Sequence, residues 1–61
     1  MVTKEQLQAL PHICLIDFGK QCGIKDAILK GKKQLISLLL KYKDQDKLEQ
    51  IYQYHIELDN M

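Results

Sequence analysis

The chain contains no arginine and no tryptophan; all nine basic residues are lysine, and the aromatics are one phenylalanine and three tyrosines. Guanine edges in a DNA groove are read chiefly by the planar, bidentate guanidinium, so a lysine-only surface favours contact with phosphates over reading of bases. Proline occurs once, at Pro11, and glycine three times, at Gly19, Gly23 and Gly31. No apolar run approaches the roughly 18 to 20 residues of a membrane span, and the opening MVTKEQLQAL has neither the charged nor the apolar region of a signal peptide. The expectation is an intracellular protein, cytoplasmic or nucleoid-associated, with no membrane partner.

Cysteine is equally sparse. Cys14 and Cys22, if both stand on one helix, have Cα atoms about 12 Å apart, beyond the roughly 7 Å limit for a disulfide. Free thiols in a reducing compartment are expected, with an intermolecular bridge left open. His12 and His55 complete the set of zinc-ligand types that these cysteines begin, but no pair has C-x-x-C or H-x-x-x-H spacing. Ordinary packed side chains are therefore expected, without a metal. Nothing in the sequence supports a Cys-His catalytic pair, and Gly23 to Lys33 lacks both the spacing and the serine or threonine of a P-loop. The chain is expected not to be an enzyme and to need no cofactor.

What is present describes one small all-α domain. A chain of 61 residues buries only about 60% of the surface its unfolded form exposes, so its stability is marginal. Its 46% hydrophobic and 28% charged content is nevertheless ordinary for a globular domain and argues against disorder throughout. Thr3 followed by Gln6 resembles a capping box that starts a short helix of about two turns, through Ala9. Pro11 ends that helix and suits the first turn of the next, PHICLIDFGKQCG, which Gly23 closes with a left-handed cap. Gly19 inside the second helix costs about 1 kcal/mol relative to alanine. Close packing of a neighbouring backbone is the favoured explanation, a hinge the alternative.

Lys25 to Lys30 forms a connector or single turn, with Ile28 and Leu29 expected to tuck into the core. The central helix then runs from Gly31 or Lys32 to Lys43. At about 100° per residue, Leu35, Leu38, Leu39 and Tyr42 share one core-facing arc, Lys30, Lys33, Ser37 and Lys41 the opposite one, and Ile36 and Leu40 the flank. Asp44 and Asp46 offer caps, and Asp46 with Glu49 fits a capping box for a last helix of about three turns. Along that helix Leu48, Ile51, Tyr52 and His55 recur at helical spacing, Tyr54, Ile56 and Leu58 lie off the stripe, and the tail Asp59-Asn60-Met61 is expected to fray.

Charge divides the chain at the same place. Residues 1 to 43 hold eight lysines against three acids, a net +5, while residues 44 to 61 hold one lysine against five acids, a net −4. The overall +1 therefore conceals a basic helical module, 1–43, and an acidic C-terminal helix, 44–61, suited to packing or dimerisation. The basic end carries Lys30-Gly31-Lys32-Lys33 at or in the first turn of the central helix. There the first N–H groups have no internal partner and the positive end of the dipole faces outward, so an anion gains hydrogen bonds and charge together. The alternative is a solvated helix start.

The order of signals Leu10-Pro11, Leu15-Ile16, Gly19, Gly23-Ile24, the basic run and Lys33-Gln34-Leu35-Ile36 through Leu39-Leu40-Lys41 resembles the N-terminal helical domain of the transcription termination factor Rho. That domain is similar to SAP and helix-extended-loop-helix modules. The likeness covers about residues 3 to 43. It implies a short helix, a helix, an extended loop and a helix, in proteins that bind DNA or RNA, with the loop and the start of the central helix as the contact surface. The positions it points to are Lys25, Lys30, Gly31, Lys32 and Lys33. Two functions follow as expectations: a nucleic-acid-binding module that holds DNA or RNA phosphates, or a small regulatory module that binds a protein partner or forms a homodimer through Tyr52, Tyr54, His55 and Ile56.

Overall fold

A computed structural model describes residues 1–59 of the chain, Asp59 by its backbone alone. Four α-helices follow one another: α1 (Lys4–Gln8), α2 (His12–Gln21), α3 (Lys32–Leu40) and α4 (Gln45–Asp59), with a 3₁₀ turn at Ala27–Leu29 between α2 and α3. The described residues contain no strand, and the helices form the expected all-α bundle.

Local chemistry accounts for most of the boundaries. The Thr3 hydroxyl accepts from the Gln6 N–H at 3.2 Å while the Gln6 side chain accepts from the Thr3 N–H at 2.8 Å, so the capping box forms as predicted. The helix it starts is slightly shorter than two turns, with Ala9 as its C-cap. Pro11 is the N-cap of α2 rather than part of its first turn: at ψ 155 its backbone is extended, and its carbonyl accepts from the N–H groups of Cys14 and Leu15. At the other end Gly23 adopts φ +79, the Gly23 N–H donates to the Lys20 carbonyl and the Ile24 N–H to the Gly19 carbonyl at 2.8 Å. These paired bonds make a Schellman cap, which satisfies two carbonyls of the last turn.

α3 ends sooner than its sequence pattern predicts, with Lys41 as C-cap. The Gln45 side-chain amide donates to the carbonyls of Leu39 at 3.1 Å and Tyr42 at 2.6 Å, and so replaces the partners that another turn would have supplied. The cap of α4 is Asp44, whose Oδ1 accepts from the Lys47 N–H at 3.1 Å. The expected Asp46–Glu49 box does not form, because Asp46 already lies within the first turn, where its charge complements the dipole. α4 continues to Asp59, beyond the predicted three turns; Asn60 and Met61, the rest of the tail expected to fray, lie outside the described residues.

Each helix contributes at least one fully buried leucine or phenylalanine: Leu7 from α1, Leu15 and Phe18 from α2, Leu35 and Leu39 from α3, and Leu48 from α4. Val2, Leu10, Cys22, Ala27 and Ile36 complete the core. Ile36, placed on the flank by its helical angle, is buried because both α1 and α2 pack against α3. Leu38 and Tyr42 are only half-buried. Gly19 is buried where α2 meets the 3₁₀ turn: a Cβ there would stand 3.1 Å from the Ala27 Cβ. Close packing explains this glycine, but of the Ala27, Leu35 and Ile24 side chains rather than of a neighbouring backbone.

The largest departure from the sequence pattern is in the turn. Ile28 and Leu29 do not tuck inward; they are 63% and 81% exposed, and Ala27 takes the core position instead. Only a side chain as small as alanine fits against the bare α2 backbone at Gly19.

Both cysteines are free thiols, Cys14 half-buried and Cys22 buried. Burial pushes the Cys22 thiol above its ordinary value of 9.0, helped by the charge of Asp44 and opposed by that of Lys47. The folded state thus holds the proton more tightly than the unfolded chain, and stability is lost as pH rises past about 9, where the unfolded chain ionises first. Urea midpoints of the wild type should therefore fall between pH 7.5 and pH 9.5 by more than those of Cys22→Ala. An equal fall in both proteins would remove this thiol from the pH dependence.

Candidate nucleic-acid interface

The start of α3 is built from three local features. Gly31, in extended backbone at φ −72 and ψ 165, is the N-cap, and no side chain bonds to the helix start. The first N–H returned into the helix is that of Leu35, which donates to the Gly31 carbonyl at 3.0 Å. Gly31 is exposed, and no neighbouring atom lies within 4 Å of where its Cβ would stand. The first-turn amides thus have no side-chain cap, beside an exposed glycine at the positive end of a nine-residue helix.

The lysines around this corner are not equivalent. Lys33 is exposed and Lys30 half-buried. The Lys30 backbone is anchored, because the His12 ring donates from Nε2 to its carbonyl at 2.9 Å, a contact between residues 18 apart in sequence. Lys32 turns away: its Nζ donates to the Gln8 carbonyl at 2.9 Å. There it satisfies an orphan acceptor at the C-terminal end of α1, where a cation is favoured. Lys25 is exposed ahead of the 3₁₀ turn. A shallow groove between α1 and α3 leads away from the corner, lined by Lys4, Gln8, Lys33, Ile36, Ser37 and Leu40. The structure thus places Lys4 and Lys33 on one groove, a grouping invisible in sequence because it depends on how α1 packs against α3.

The four positions of the alternative interaction surface do not share one face. Tyr52 and His55 turn inward and meet Phe18 edge-on, with ring centroids 6.5 Å and 5.6 Å apart. Ile56 is half-buried. Tyr54 is 64% exposed and lines a separate shallow groove with Asp46, Glu49, Gln50, Gln53 and Glu57. Packing also brings together a pair that sequence spacing does not suggest: Cys14 Sγ lies 3.9 Å from His55 Nε2, where α4 crosses α2. At that distance it is at most a weak sulfur hydrogen bond, between two half-buried side chains.

Among the described residues no group of three or more His, Cys, Asp or Glu is placed to hold a metal ion, and no helix is long and apolar enough to cross a membrane. No family model, no curated protein and no solved structure matches this chain.

Proposed function

We propose that the protein is a non-enzymatic module that binds DNA or RNA by holding backbone phosphates at the Gly31 corner. The observation that carries this reading is the uncapped, open start of α3 with Lys30 and Lys33 beside it. A phosphate oxygen there accepts from first-turn amides, while the ammonium groups add screened attraction and release counterions on binding. Lys4 extends the cationic rim along the α1–α3 groove. Lys25 adds charge on the approach, and Lys32 serves mainly as a clamp on α1. The absence of arginine makes such binding weakly selective for sequence. This reading takes residues 3 to 43 as a module similar to the Rho N-terminal domain and SAP modules, with α4 packed on it.

Fluorescence anisotropy with labelled oligonucleotides at several salt concentrations tests it. Binding should weaken steeply with salt, and Lys30→Ala with Lys33→Ala should lower the log–log salt slope by about 2, one for each phosphate that the variant no longer neutralises. No binding at low salt, or a slope unchanged in the double variant, rules the proposal out.

A further inference from the structure

We propose that Ile28 and Leu29 form an aliphatic wedge that enters the minor groove of a DNA duplex; this rests on the phosphate-holding role of the Gly31 corner and names its substrate. Two large aliphatic side chains on one short turn are 63% and 81% exposed, although the bundle has a core a few residues away. Local order maintains that exposure. Ala27 is buried against Gly19, the Leu29 N–H donates to the Asp26 carbonyl at 2.9 Å, the Lys30 N–H donates to the Ala27 carbonyl at 3.1 Å, and His12 holds the Lys30 carbonyl. The turn is fixed at both ends and presents its apolar pair to water.

Its surroundings select the occupant. Lys25 precedes the pair and Lys30 and Lys33 follow it, with Asp26 the one acid between Lys20 and Lys43. An apolar tip with lysines before and after it in the chain complements a polyanion with an apolar interior. Ile28 is three residues from Gly31, so their Cα atoms lie within about 11 Å of each other. That reach suits a side chain entering a minor groove about 6 Å wide while a bordering phosphate rests on the helix start. A single strand fits less well, since its bases bind by stacking on aromatic rings and no aromatic occurs between Phe18 and Tyr42. Polar readout of major-groove edges is excluded for side chains without donors or acceptors. Partial unstacking of a base step by isoleucine or leucine, with a bend in the duplex, uses the chemistry that this tip has.

The test compares wild type with Ile28→Ser/Leu29→Ser, which changes only exposed positions; circular dichroism checks that it melts like the wild type. Anisotropy is read on a short A·T-rich DNA duplex and on one of its single strands, and energy transfer between end labels reports bending. Wild type should prefer the duplex and shorten its end-to-end distance. The double variant should bind the duplex at least about tenfold more weakly, because less apolar surface is buried, and no longer bend it. Its salt slope should stay at the wild-type value, because the lysines remain. Equal duplex affinity and bending in both proteins overturn the wedge while leaving the phosphate site intact, and so does a preference for the single strand. Self-association in sedimentation that the double variant abolishes, with duplex binding unaffected, assigns the patch to a second copy instead. Absence of nucleic-acid binding by wild type at low salt overturns the wedge together with the reading it rests on.

Discussion

Phe18→Ala is expected to leave most of the chain unfolded at 25 °C. Phe18 is 2% exposed in the core of the bundle, and the rings of Tyr52 and His55 on α4 meet it edge-on. Truncating a buried phenylalanine to alanine costs about 3–5 kcal/mol, because the lost transfer energy is joined by that of a cavity rigid helices close only in part. A core in a chain this short rarely supplies more than about 3–5 kcal/mol of net stability, so one substitution consumes most of it. Any remaining transition should lie at least about 12 °C lower, at about 4–8 °C per kcal/mol for a domain of this size. Thermal melts followed by far-UV circular dichroism measure this, and a fall of less than about 5 °C would mean that the bundle does not depend on Phe18. Phe18→Leu separates volume from ring geometry: it keeps most of the apolar contact and gives up the two edge-on pairs, worth about 0.5–1.5 kcal/mol each.

The parts of this fold that are legible in sequence are those decided within one helical turn. Thr3 and Gln6 lie three residues apart, and both bonds of their box depend on that spacing alone. Gly23 is the residue that adopts a left-handed cap without strain. The leucine stripe of α3 and the Leu48 face of α4 follow from the helical period. Where structure and sequence pattern part, near-equal local choices compete and a distant contact settles them. Asp44 and Asp46 both suit a cap, and Gln45, reaching back to Leu39 and Tyr42, closes α3 where Asp44 becomes the cap.

Ala27, Ile28 and Leu29 are consecutive apolar residues, and hydrophobicity favours the larger two for burial. The space against Gly19 admits only the smallest. The candidate site divides in the same way. The open helix start at Gly31 is visible from Lys30-Gly31-Lys32-Lys33, whereas the inward turn of Lys32 to Gln8, the anchoring of Lys30 by His12 and the placing of Lys4 and Lys33 on one groove all depend on how α1 and α2 meet α3.

That dependence gives Gly19 a reach beyond its own helix, and Gly19→Val should reveal it. A Cβ at this position would meet the Ala27 Cβ at 3.1 Å, the Leu35 Cδ2 at 3.3 Å and the Ile24 Cβ at 3.7 Å. The leucine methyl ends a side chain that can rotate, but the Ala27 Cβ is fixed to the backbone, so the 3₁₀ turn itself must move. Alanine requires a shift of a few tenths of an ångström and gains up to about 1 kcal/mol of helix propensity, so Gly19→Ala should be close to neutral. Valine adds two methyl groups with essentially one rotamer open to them in a helix. Overpacking of this kind costs about 1–3 kcal/mol, here chiefly by pushing Ala27 off α2. The His12 bond to the Lys30 carbonyl spans the same seam, so the displacement should reach the start of α3. The expected result is a melting temperature lower by about 4–24 °C, with the largest amide shifts in ¹H–¹⁵N spectra between Ala27 and Gln34. A melting temperature within about 3 °C of wild type, with shifts confined to α2, would show that the turn and the corner it carries are not set by this glycine.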